Sequence, residues 1–179
     1  LQFKNKRQTT PKRFDMYYRL VLLFIFLSQI GFSQTSVNTE QNVIVGLSDV
    51  RILERGLSYR WYKDGYFNYQ TNISAVNALI GMPKDIQFIL FAGTWCEKSQ
   101  QLLPQFYKVL DLANISRQRA TLCFLDRDKR SPQGIENNYS INSTPVFIIL
   151  QKGVEIGRIT ENVSQSIEAD IADLIPTKQ

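Results

Sequence analysis

The sequence predicts an α/β fold, a central mixed sheet flanked by helices, and three observations carry that prediction. Apolar runs at Ile86–Ala92, Thr121–Leu125 and Val146–Leu150 have strand length and enough apolar content to be covered on both faces. Between the first two, from Cys96 to about Leu112, the residues Leu102, Leu103, Phe106, Val109 and Leu110 recur with the helical period. After the third, Lys152-Gly153 turns the chain into Val154–Ile159, an antiparallel hairpin.

The remaining elements follow in chain order. Gly93-Thr94-Trp95 is a turn between strand and helix. The polar segment Asp126-Arg-Asp-Lys-Arg130 is a loop that leads into a short helix around Pro132 to Tyr139. A closing helix runs from about Ser164 to Leu174, with Ile167, Ile171 and Leu174 at i, i+4 and i+7. Upstream, Val45 to about Gln70 carries a cluster of rings: Tyr59, Trp61, Tyr62, Tyr66, Phe67 and Tyr69. Four of them, Trp61, Tyr62, Tyr66 and Tyr69, fall near one helical face, although Gly65 weakens a continuous helix. This segment reads as a lid packed onto the following domain rather than as an aromatic platform for a ligand.

Composition bounds the function. A chain of 179 residues with 44% hydrophobic and 21% charged content is globular and long enough for one domain with appendages. There is no histidine, which removes Ser-His-Asp and Cys-His catalysis and His-ligated zinc. Two cysteines, Cys96 and Cys123, are too few for a disulfide scaffold or a thiolate metal site. No cofactor is therefore expected, and no metal.

The formal charge of +5 belongs to one end of the chain. Six of the 21 basic residues and one of the 16 acidic residues lie in residues 1–19, which leaves fifteen of each sign from Gln34 onward. The balance is thus no nucleic-acid signature. The basic stretch precedes Leu20–Leu27, a run of eight apolar residues, and then the small residues Gly31 and Ser33. That order matches an export signal with cleavage after Ser33, and the apolar run is shorter than the roughly 20 residues of a spanning helix. The expected location is periplasmic or secreted, with an uncleaved membrane anchor as the alternative. Met16-Tyr-Tyr-Arg19 is a sufficient n-region, so residues 1–15 read as an over-extended start. The expected organisation is a leader over 1–33, a polar arm and aromatic-rich extension over 34–84, and the α/β domain over 85–179.

Cys96 stands where a buried strand gives way to a helix. The free N–H groups and positive dipole end of a helix favour thiolate over thiol, Lys98 adds to that effect and Glu97 opposes it. Cys96 is therefore a candidate nucleophile on position alone.

Over about Asp85 to Leu174 these residues resemble the thioredoxin-like family. The resemblance rests on Trp95-Cys96-x-x-Ser99, on Pro104 eight residues beyond the cysteine, on Thr144-Pro145 at the entry to an apolar strand, and on the glycine-turned hairpin with its final helix. It implies a cis-proline loop at Thr144-Pro145 that lies against the active cysteine and offers backbone to an extended substrate. It implies that Trp95 shields and orients the thiol and that Ser99 hydrogen-bonds it. The departures bear on function. Ser99 stands where the family's resolving cysteine would be, Leu90 replaces a buried acid, and Phe124 stands where a lysine is expected. A dithiol reductase cycle is unlikely on these residues, because ejecting substrate from a mixed disulfide needs a second thiolate.

Two readings remain. In one, Cys96 carries out monothiol thiol-disulfide exchange on cysteine-containing proteins or peptides, with a reducing partner protein or the substrate itself supplying the second thiol. In the other, the domain is a redox-inactive module that binds peptides or proteins beside Trp95 and Thr144-Pro145. Either form is expected to be a monomer without stable membrane insertion after cleavage. Cys123, between Leu122 and Phe124, reads as an inert buried thiol. Asp126, Asp128 and Lys129 read as a solvated loop rather than a metal site, and the Asn-x-Ser/Thr sequons at Asn72, Asn114, Asn138, Asn142 and Asn162 as weak signals.

Overall fold

The computed structural model of the chain describes residues 43–176. The leader, its cleavage after Ser33 and most of the polar arm lie outside these residues. The described chain begins with a three-residue strand, β1 (Gly46–Ser48). Three helices follow: α1 (Arg51–Arg55), α2 (Arg60–Asn68) and α3 (Ile73–Leu79). Then come β2 (Ile86–Ala92), α4 (Glu97–Leu112), β3 (Ala120–Phe124), a 3-10 turn over Ile135–Tyr139, β4 (Val146–Gln151), β5 (Val154–Ile159) and α5 (Ile167–Leu174). Among the described residues no helix is long and apolar enough to cross a membrane.

The five strands form one sheet in the order β1-β3-β2-β4-β5. The centre is β2, which runs parallel to β3 with Leu90 beside Leu122 and antiparallel to β4 with Leu90 beside Phe147. Successive residues of a strand point to opposite faces, and here both faces are apolar. One face presents Phe88, Leu90, Leu122, Phe124, Phe147 and Ile149 to a core shared with all five α-helices. The other presents Phe91, Cys123, Leu125, Val146, Ile148 and Leu150, packed against Ile135, Tyr139 and Ile141. Burial on both sides explains why the three strands read as unbroken apolar runs rather than as alternating ones.

The sequence predicts a short helix around Pro132 to Tyr139, and the chain forms a 3-10 helix over Ile135–Tyr139. A buried carboxylate, Glu136, accepts from the Ser131 hydroxyl and the Ser131 N–H, which winds the segment tightly. The closing helix starts at Ile167 rather than Ser164, because the Ser166 hydroxyl caps it by accepting from the Ala169 N–H. Strand β1 and helix α3 have no counterpart in the sequence reading. β1 is too short for periodicity to show, and it exists through pairing with β3, Leu47 beside Cys123.

The aromatic segment joins the main core. Tyr59 and Tyr62 are buried in the same cluster as the sheet, with Trp61 and Tyr69 packed on its border. Helix α2 runs through Gly65 despite the low helix propensity of glycine. The reason is contact with α4: a Cβ on Gly65 would stand 2.7 Å from the Pro104 ring. Pro104 itself sits inside α4, where it has no N–H to donate to the Gln100 carbonyl, on the side that α2 covers. The link between α2 and α3 is tied to α5 by the fully buried Glu168, which accepts from the Tyr69 hydroxyl at 2.8 Å and from the Asn72 N–H. Lys108 reaches over from α4 to donate to the carbonyls of Phe67 and Tyr69. Asn72, one of the sequons, caps α3 by accepting from the Ala75 N–H.

A second tie is ionic. Arg117 donates to both oxygens of Asp111 and to Glu54 of α1, and the Tyr66 hydroxyl donates to Asp111 at 2.6 Å. Burial raises the pKa of Asp111, but the hydrogen bonds from Arg117 and Tyr66 outweigh it and hold the carboxyl below its ordinary value of 3.8.

Two outcomes are expected. Gly65→Val forces α2 off the rigid Pro104 ring and costs about 1–3 kcal/mol of stability, read as a lowered urea midpoint. Asp111 has a folded pKa below its unfolded one, so its contribution is present above about pH 4 and lost as pH falls through the folded value. Asp111→Asn should make the fall in stability below about pH 4 less steep in acid denaturation.

Candidate functional site

Strand β2 ends at Ala92, and the four residues Gly93 to Cys96 carry the chain from the buried sheet into the first turn of α4. The turn is closed by the Cys96 N–H donating to the Gly93 carbonyl at 3.0 Å, and the Cys96 carbonyl accepts from the Gln100 N–H at 2.9 Å. Cys96 is thus the N-cap of a 16-residue helix, in extended conformation (φ −94°, ψ 119°), and its side chain takes no part in capping. The thiol is free and half-buried, and it donates to the Thr144 carbonyl at 3.2 Å.

Thr144 and Pro145 lie where the loop after the 3-10 turn enters β4. Both are buried, and the bond between them is cis. The register of β4 against β2 brings them there, since Val146 pairs with Phe91, and the next residues toward the site are Pro145 on one strand and Ala92 on the other. Two segments far apart in sequence, Gly93–Cys96 and Thr144-Pro145, therefore meet at one end of the sheet.

The other residues singled out from the sequence divide. Trp95 is turned toward the end of β3: its indole N–H donates to the Leu125 carbonyl at 2.9 Å, and its ring lies over Gly93, where a Cβ would come within 2.7 Å. The Arg127 guanidinium stands 5.5 Å from the centre of that ring, at cation–π distance. Ser99 points inward. It is 1% exposed, and its hydroxyl oxygen accepts from the Gly93 N–H at 3.1 Å. Glu97 and Lys98 are exposed on the first turn, Lys98 on a flank it shares with Gln101 and Gln165. Arg127 and the Leu125 carbonyl were not legible in the sequence. The loop that carries Arg127 has the composition of any solvated turn, and only the parallel pairing of β2 with β3 brings it beside Trp95.

Below the site the surroundings are apolar. Leu90 and Phe124 are fully buried, so both positions hold hydrocarbon. Cys123 is fully buried on the opposite face of the sheet, and burial pushes its thiol pKa above the ordinary value. Asp126 is engaged with its own loop, accepting from the Arg130 N–H at 2.8 Å. Among the described residues no group of three acidic or cysteine side chains is arranged to hold a metal ion. The site can present one thiol, one adjacent backbone carbonyl and an aromatic wall. It has no second thiol.

No family model matches the chain. Human thioredoxin is similar to it, 24% identical over 85 residues, which is 48% of this chain and 75% of that protein. A protein of unknown function from Pseudomonas aeruginosa superposes with a TM-score of 0.48 at 14% identity, over 72% of this chain and 82% of its own. Mitochondrial thioredoxin 3 of Saccharomyces cerevisiae gives 0.37 at 22% identity, over 62% and 96%. Fasciola hepatica thioredoxin gives 0.35 at 17% identity, over 56% and 85%. The fold of the described chain, with its mixed sheet and its cysteine at the N-terminus of the helix after the central strand, is thioredoxin-like, and the similarity to human thioredoxin supports kinship with that family.

Proposed function

We propose that the protein is an exported thiol-disulfide exchange protein that works through one thiol, Cys96. The observation that supports this reading best is the half-exposed Cys96 thiol at the start of α4, 3.2 Å from the Thr144 carbonyl, with serine one turn further along where a second thiol would close a disulfide. The leader read from residues 16–33 agrees with it, since protein disulfides form and persist outside the cytosol.

The exchange has two steps that balance. The Cys96 thiolate attacks one sulfur of a substrate disulfide. That S–S bond breaks, a disulfide between Cys96 and the substrate forms, and the departing thiolate takes a proton from water. A second thiolate, on the same substrate or on a partner, then attacks the substrate sulfur of the mixed disulfide and releases Cys96. When the second thiol belongs to the substrate, its disulfides are rearranged with no net oxidation, and no external reductant is consumed. Trp95 and Arg127 wall one side of the approach, and the backbone at Thr144-Pro145 lines the other. Ser99 contributes by fixing the turn through Gly93 and cannot resolve the mixed disulfide, so the intermediate persists until another thiol arrives.

In refolding of a small protein with scrambled disulfides, the chain should accelerate recovery of the native pairing, Cys96→Ser should abolish the effect, and Cys123→Ala should keep it. Under native conditions iodoacetamide should modify Cys96, while Cys123 reacts only on unfolding, because it is buried and its thiolate is disfavoured. A Cys96 that alkylates no faster than a free cysteine and traps no mixed disulfide from an exported proteome would transfer the site to the binding-module reading. The missing thiol can also be supplied. Oxidised Ser99→Cys should lose two hydrogens by intact mass and gain turnover of a small disulfide with dithiothreitol as reductant.

A further inference from the structure

A groove of about 480 Å³ runs along the flank of α4 that starts beside the thiol. One wall is Lys98, Gln101 and Gln105, spaced three and four residues apart so that they stack on one helical face. The facing walls come from two connections, Gln70 after α2 and Asn162 with Gln165 between β5 and α5. Five of these six side chains are carboxamides, each offering donors and an acceptor and carrying no charge, and the Glu161 carboxylate also lines the groove. Those of Gln101, Gln105, Asn162 and Gln165 have no hydrogen-bond partner among the described residues, and that of Gln70 reaches only the nearby Asn68 carbonyl, at 3.5 Å. The walls stay fixed because Glu168 holds the Tyr69–Asn72 link and Asp170 accepts from the backbone N–H groups of Ser164 and Gln165.

We propose that this groove binds an extended polypeptide segment flanking the substrate cysteine, so that the substrates are unfolded or partly folded chains rather than small disulfides. The inference rests on the proposed exchange at Cys96 for its biological use, and on the groove alone for its binding chemistry. A row of neutral donor-acceptor side chains matches the alternating N–H and C=O groups of an extended backbone and tolerates any side chain. From Lys98 to Gln105 the helix rises about 10 Å, the span of about three extended residues. Lys98, which lines the groove, stands two residues beyond Cys96 on the first turn of α4. One wall carries Gln70, from the segment upstream of the sheet core, which assigns part of that segment to substrate contact.

The test uses the full chain and two disulfides: hydroxyethyl disulfide, and a mixed disulfide of a twelve-residue neutral peptide. The unmodified protein should exchange with the peptide about tenfold faster or more, given three or more hydrogen bonds from the groove. Gln101→Ala combined with Gln105→Ala and Gln165→Ala should erase that preference and leave the small disulfide unaffected. All three positions are at least partly exposed, so the variant should fold, and an unchanged urea midpoint checks this. In parallel, the cysteine-free form of the peptide is titrated into Cys96→Ser protein while the side-chain amide resonances of Gln101, Gln105, Asn162 and Gln165 are followed by NMR. Shifts at these amides support the groove even if Cys96 proves unreactive toward both disulfides, a result that sinks only the exchange reading. Unmoved amide resonances, or a triple variant that keeps its preference for the peptide, overturn the groove proposal.

Discussion

Burial of β2 on both faces is the constraint from which the rest of the domain follows. Its seven residues sit between β3 and β4, and Phe88, Leu90, Phe91 and Ala92 have no exposed surface. Such a strand cannot shift register by one residue without moving each side chain to the other apolar layer, where the packing partners differ in size. Its end is therefore fixed in space. The turn Gly93–Cys96, the first turn of α4, the Leu125 carbonyl at the end of β3 and the Thr144-Pro145 entry to β4 are all positioned from that one end.

The helices upstream of β2 complete the core rather than decorate it. The Gly65 and Pro104 contact lets α2 approach α4 closely, and Glu168 and Arg117 then fix the layer at two places with charged hydrogen bonds. Glu168 is costly to bury and is held by two donors, Tyr69 and Asn72, both from the same link. That arrangement carries strength only while the link, α3 and α5 are all in place. The same link supplies one wall of the groove beside α4, so one anchor serves both packing and the proposed binding surface.

The site sets one thiol and one backbone carbonyl above an apolar core. The thiol stands at a helix start, with the carbonyl at hydrogen-bond distance. Ser99, Leu90 and Phe124 are all buried, and the Ser99 hydroxyl accepts from the Gly93 N–H. In the proposed exchange, a single thiol that cannot expel its own substrate would favour slow release and so rearrangement over reduction. A long-lived mixed disulfide in turn gives value to contacts that hold the substrate chain.

The sequence by itself determined the three buried strands, the long helix, the hairpin and the position of Cys96 at a strand-to-helix junction. Each of these is a local pattern: an apolar run, a 3.6-residue period, a two-residue turn. It determined as well that the chain holds no imidazole and only two thiols. Tertiary structure decided what depends on partners remote in the chain. The three-residue β1 has no pattern of its own and forms by pairing with β3. Gly65 looks like a helix breaker until Pro104 lies against it, and the short helix over Ile135–Tyr139 takes its 3-10 form with Glu136 buried and bonded to Ser131. Arg127 beside Trp95, the inward turn of Ser99 and the groove along α4 follow from strand register and helix docking. Local propensity acts over a few residues, whereas these features are set by contacts between segments far apart in the chain, where packing and hydrogen bonding outweigh it.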